Sequence, residues 1–262
     1  MGDFKKYANP WDAKYSEWYA EGSATWIGEG VVATAKAMSC DQKKVKELKK
    51  KFESMIENAR NIGQNVAADN LQHFLNGSGS TRTLSVSWLR SFASITNAES
   101  RILNYTKNRN LNAWVKDVEK GKTVSKSDYW DADIKNYNMS SELSYASGAS
   151  DMKGNVEMRL SRSEDIIDIT GTVNIRWSDD YNWNKGMGFY IPGTGWVSDS
   201  DGLYLEKCGG AKSFLMEAFW RFDYTGKYDF ENSKWMNSSW KINGSEYTPN
   251  ENSSDSNNSS GR

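Results

Sequence analysis

An α+β fold, with a helical N-terminal half followed by an antiparallel β-rich C-terminal half, is what the sequence predicts on three observations. Apolar residues recur at three- and four-residue spacing from Val45 to Leu75. A second stretch with the same rhythm runs from Trp88 to Val118. After about residue 140 the period changes to two, most extensively in Phe214, Met216, Ala218, Trp220, Phe222 and Tyr224. Strict alternation with polar partners predicts antiparallel strands with one wet face. Their spacing predicts a meander or a small barrel-like sheet.

The first helix is expected to begin at Ser39, which has capping-box spacing to Gln42. Val45, Leu48, Phe52, Met55, Ile56, Ala59 and Ile62 form its stripe, and Gly63 weakens or bends it. The stripe resumes through Val66, Leu71, Phe74 and Leu75 and stops at Asn76-Gly77-Ser78-Gly79-Ser80. Thr96 and Glu99 offer a second capping box, and the helical pattern ends near Gly121. An apolar stripe must be covered, so residues 45–75 are expected to pack against residues 88–118, as a hairpin or bundle. Glu142 to Ser147 reads as a first strand, followed by alternating runs in 156–160, 173–177, 214–224 and 235–242. The expected organisation is therefore an aromatic-rich segment 1–38, a helical region 39–140, a β region 141–247 and a disordered tail 248–262. That tail is Asn, Ser, Glu and Asp with almost nothing apolar to bury.

Composition excludes several classes. The chain has 262 residues, Lys+Arg 33 against Asp+Glu 34, and a net charge of -1. A duplex nucleic-acid binder shows a basic excess on one face, so no nucleic-acid partner is expected. The basic run Gln42 to Lys51 reads as the wet face of a helix. No stretch reaches the roughly 18 apolar residues of a membrane-spanning helix. The N-terminal sequence lacks an apolar core of the secretory type, which points to secretion without a classical signal peptide, or to a cytoplasmic protein before delivery. Cys40 and Cys208 are the two cysteines. They read either as two unpaired residues or as a disulfide joining the halves. His73 is the single histidine and sits within a helical pattern, so it reads as structural. No nucleotide-binding glycine motif, HExxH or G-x-S-x-G is present.

The remaining chemistry is acidic and aromatic. Asp128, Asp131 and Asp133 surround Tyr129 and Trp130, Asp179 and Asp180 precede Tyr181 and Trp183, and Asp199 and Asp201 sit in a Ser/Gly-rich stretch. Carboxylates at strand ends can act as acid and base or bind a hard cation, although Asp, Asn, Ser and Gly also simply make turns. Asp179, Asp180 and Tyr181 are the candidate catalytic residues. Asp179 and Asp201 are the candidate ligands of a divalent cation, Mg or Ca.

The run from Gly171 to Asn184, centred on Asp179-Asp180-Tyr181-Asn182-Trp183, resembles the active-site strand of colicin M-type bacteriocins. Asp179, Tyr181 and Trp183 match that motif's first aspartate, tyrosine and aromatic residue. Asn182 stands where the motif has a second aspartate, and Lys185-Gly186-Met187-Gly188 stands where it has a His-Arg pair. The resemblance covers about thirty residues. It implies cation-dependent hydrolysis of a lipid-linked phosphate substrate at the cell envelope, by a toxin or secreted effector with a cognate immunity or delivery protein. Two other readings stand beside it. One is a non-catalytic module in which rings and amides bind carbohydrate or a protein partner. The other is a structural component of a larger assembly, docked through the aromatic N-terminal segment. Whether the chain is an enzyme is left open by its residues.

Overall fold

Helices cover one face of an antiparallel sheet in the structure, a computed structural model that describes residues 40–135, 142–184, 188–191 and 195–250. The expected cap at Ser39, the 1–38 segment and the tail beyond Asn250 lie outside the described residues. The apolar stripe forms α1 (Gln42–Asn61) and α2 (Asn65–Asn76), broken at Gly63, which has φ 79°. Val45, Leu48, Phe52, Met55 and Ile56 are buried along α1, while Lys43, Lys44, Lys46 and Lys50 are exposed. Gly77, in the left-handed conformation, ends α2. A short strand, β1 (Arg82–Thr83), leads to α3 (Val86–Leu89) and α4 (Ala93–Tyr105). A π-helical stretch, Thr106–Leu111, a helical turn, α5 (Asn112–Trp114), and a 3₁₀ turn, Val115–Asp117, complete the helical layer.

The sheet begins earlier than periodicity places it. Thr123–Lys135 is a long strand, β2, within the stretch read as helical. Glu142–Ala146 is a helical turn, α6, rather than a strand, with Leu143 and Ala146 buried at i, i+3 spacing. Strands β3 (Ala149–Ser163) and β4 (Ile166–Tyr181) follow. An excursion of β5 (Gly188–Ile191), β6 (Gly195–Ser198), α7 (Asp199–Tyr204) and a π-helical turn, Leu205–Gly209, precedes β7 (Phe214–Asp229), β8 (Lys234–Ile242) and β9 (Ser245–Tyr247). Strand order β2-β3-β4-β7-β8-β9 makes an open antiparallel meander. β8 pairs with the Phe222–Asp229 half of β7, and β1 runs parallel to Met216 and Glu217 on the other half.

One continuous core joins the two halves, from Phe52 and Phe74 through Leu103 to Trp177 and Phe222. The stripe on α1 and α2 is covered differently from expectation. These helices pack on each other, α1 also on the 205–209 turn and α2 on α6, while α4 lies on β2. At Gly154 of β3 a Cβ would stand 2.9 Å from Ile102 Cγ2 of α4, so the missing side chain lets the helix sit close to the sheet. The α4 capping box does not form. Phe92 occupies the N-cap position, and Glu99 is fully buried deeper in the helix. Cys40 and Cys208 are disulfide-bonded, which corrects the unpaired reading. No described helix is long and apolar enough to cross a membrane.

Candidate functional site

The predicted residues sit at the end of β4, where alternation assigns them to opposite faces. Ile167, Ile169, Val173, Ile175 and Trp177 are buried. Asp179 and Tyr181 continue that inner series, and Asp180 is exposed on the outer face. Asp179 pairs in register with Met216 of β7. Met216 Sδ accepts from Asn70 Nδ2 at 3.0 Å, and Asn70 Oδ1 accepts from Arg82 Nη1 at 2.6 Å. Beside it, Trp177 Nε1 donates to Ser150 Oγ at 2.9 Å. Asp179 is therefore set in an interior of thioether, amide and indole whose hydrogen bonds are made among themselves.

The Asp179 Oδ2 atom is buried and has no hydrogen-bond partner among the described residues. Burial pushes its pKa up to about 8, with the negative charges of Asp180 and Asp151 adding to the rise. A backbone N–H from Asp180 opposes the shift but does not cancel it. A carboxyl poised near neutrality by burial has the property a general acid needs.

Tyr181 points into an aromatic cluster. Its ring stacks on Phe214 at 4.9 Å and 18°. Trp183 meets Phe52 at 5.2 Å and Phe74 at 5.5 Å. Burial and the nearby Asp199 hold the Tyr181 hydroxyl above its ordinary pKa. Gly202 of α7 explains why the excursion can close over this cluster. A Cβ there would fall 2.2 Å from the Trp183 ring, so only glycine fits. Tyr181, Trp183 and Tyr145 also line a crevice of about 50 Å³ beside α1 and α2. His73 packs edge-on to Phe214 at 4.5 Å, and its Nε2 lies 2.7 Å from Ser80 O. It ties the loop after α2 to the core, in keeping with a structural role.

The other acidic clusters are held apart. Asp201 Oδ2 accepts from Lys51 Nζ at 2.9 Å. Asp199 accepts from the backbone N–H of Asn184 at 3.1 Å, and burial raises its pKa. On the outer face Asp133 lies directly opposite Asp151, and Lys153 is 3.9 Å from Asp131. Burial and these neighbouring carboxylates raise the Asp151 pKa. Of the two candidate cation ligands, Asp201 is engaged by the Lys51 ammonium and Asp179 has its pKa raised by burial. Among the described residues no group of three or more His, Cys, Asp or Glu side chains could hold a metal.

Two features escaped the sequence. Glu99 accepts from Arg90 Nε at 2.8 Å and from the Tyr247 hydroxyl at 3.4 Å, a buried pair that clamps α4 to β9. Asn112, Lys116, Tyr228, Ser233 and Trp235 line an open cleft far from β4's end in sequence. Long-range partners of this kind leave no local signal. Comparison of the chain with protein-family models, with curated proteins and with solved structures gives no match.

Proposed function

We propose that the protein is a toxin or secreted effector acting at the bacterial cell envelope, with Asp179 as its acid group. The observation that supports this reading is the Asp179 carboxyl, whose Oδ2 atom is buried without a hydrogen-bond partner among the described residues and whose pKa is raised to about 8. At neutral pH such a group carries a proton. It can give that proton to the leaving oxygen of a phosphate ester as water adds to phosphorus. The P–O bond to the alcohol then breaks, the alcohol leaves neutral, and the proton lost by the water restores the acid. Tyr181 acts as a positioning residue, since its stacking on Phe214 fixes the end of β4.

The substrate class, a lipid-linked phosphate, comes from the resemblance of the Asp179–Trp183 run to the colicin M-type strand. The bonded cysteines add support, because disulfides persist in oxidising compartments outside the cytoplasm. A delivery protein and a cognate immunity protein are the partners this reading requires.

The test is growth of a bacterium expressing the protein in its cytoplasm, and separately with a periplasmic signal attached. Lysis from the periplasm alone is expected, and Asp179→Asn should abolish it while leaving the fold intact. Absence of any effect from either compartment, or full killing by Asp179→Asn, overturns the reading.

A further inference from the structure

We propose that the cleft between the 112–117 helical turns and the β7–β8 turn binds an acidic saccharide. The proposal does not depend on Asp179. The cleft has a volume of about 350 Å³ and is lined by Asn112, Lys116, Tyr228, Ser233 and Trp235. That volume is in the range of small-molecule sites.

The walls are built and fixed. Pairing between β7 and β8 runs Lys227 to Asn237 and then Tyr228 to Trp235, so Met236 is the extra residue of a β-bulge. Bulges turn side chains out of the regular alternation. Here the bulge sets the Tyr228 and Trp235 rings against each other at 5.2 Å and 70°. Trp235 Nε1 donates to Asn112 Oδ1 at 2.7 Å, and Asn112 Nδ2 donates to Asn108 O at 2.9 Å. The indole is thus held by an amide that is itself held. Ser233 takes a left-handed conformation, φ 50°, at the turn.

The chemistry of the lining selects the ligand. Tyr228 is nearly buried and Trp235 only partly so, which presents one ring rather than a slot for a flat aromatic ligand. One ring suits the C–H face of a pyranose, and the Ser233 and Tyr228 hydroxyls suit its hydroxyl groups. Lys116 is exposed, with no ion pair among the described residues, and supplies one positive charge. With Lys116 the one cation among these lining residues, the cleft favours a sugar carboxylate over a phosphate, which recruits several donors.

The probe is glucuronate, with glucose as the neutral control, followed by calorimetry and by the indole N–H signal of Trp235. A ligand of this size is expected to bind with a millimolar Kd. Glucose should bind at least tenfold more weakly. Lys116→Gln, a surface change, should bring glucuronate to the level of glucose. Trp235→Ala should weaken both at least tenfold with an unchanged circular dichroism spectrum. If that variant unfolds, Lys116→Gln and the Trp235 signal decide. No saturable binding, equal binding of glucose, or glucuronate binding untouched by Lys116→Gln each overturns the proposal.

Discussion

Two acids are buried on the helix-covered side of this sheet, and they are treated in opposite ways. Glu99 is wholly buried, yet it has Arg90 at 2.8 Å and the Tyr247 hydroxyl at 3.4 Å. Arg90 in turn lies 5.8 Å from the centre of the Phe222 ring and 5.4 Å from that of Tyr247. Burial raises the Glu99 pKa, and the attraction of Arg90 works against the rise. Asp179 has no such cation. The charges that shift its pKa, Asp180 and Asp151, are negative and push the same way as burial. A buried carboxylate survives as an anion only when a cation repays its lost hydration. Glu99 is thus a carboxyl clamped by a cation, and Asp179 is one whose pKa burial raises without a cation to oppose it.

Removing partners should expose that contrast. The largest effect is expected from Arg90→Ala, which strands Glu99 without its cation. It should cost about 3–5 kcal/mol in urea unfolding at pH 7. The double change Arg90→Ala, Glu99→Leu should recover much of the loss, since the stranded charge is then gone. Next comes Asp179→Asn. Because the folded pKa of Asp179 lies above its unfolded value, the folded state holds more protons between about pH 4 and pH 8. Stability from this group is complete below the unfolded pKa and is lost as pH rises through about 8. The wild type should therefore weaken over that window, and Asp179→Asn should flatten the profile. The smallest effect is expected from Tyr247→Phe. It removes the hydroxyl 3.3 Å from Ser100 Oγ and 3.4 Å from Glu99, for about 0.5–1.5 kcal/mol, measured by thermal unfolding.

The sequence shows the contrast between periods well, and it shows partners poorly. The α1 stripe and the β7 alternation are legible because each repeats over many residues with polar gaps between. Strand β2 is not, because Ser125, Lys126, Ser127 and Asp128 give its first half no apolar face beyond Val124. Leu143 and Tyr145 alternate as a strand would, but Leu143 and Ala146 are the buried pair of a helical turn. Thr96 and Glu99 have the spacing of a cap. What places Glu99 in the core instead is Arg90 nearby and Tyr247 at the far end of the chain.

The candidate site was legible to a similar degree. Asp179 stands out in the sequence just past the alternating run that ends at Trp177, and because β4 continues to Tyr181 the same alternation puts both on the inner side. That Tyr181 and Trp183 meet Phe52 and Phe74 depends on helices more than a hundred residues away, and that Tyr181 stacks on Phe214 depends on pairing with β7, none of which a local pattern encodes. The cleft at Tyr228 and Trp235 is invisible for the same reason. It needs both the bulge at Met236 and the amide of Asn112.

Carboxyl-carbon NMR titration of the intact protein reads the charge state of Asp179 directly, with Asp179→Asn identifying the signal. A midpoint near 8 is the predicted result. A midpoint near 4, the ordinary value for an aspartate, would mean that the group is ionised at neutral pH and would contradict its assignment as the acid.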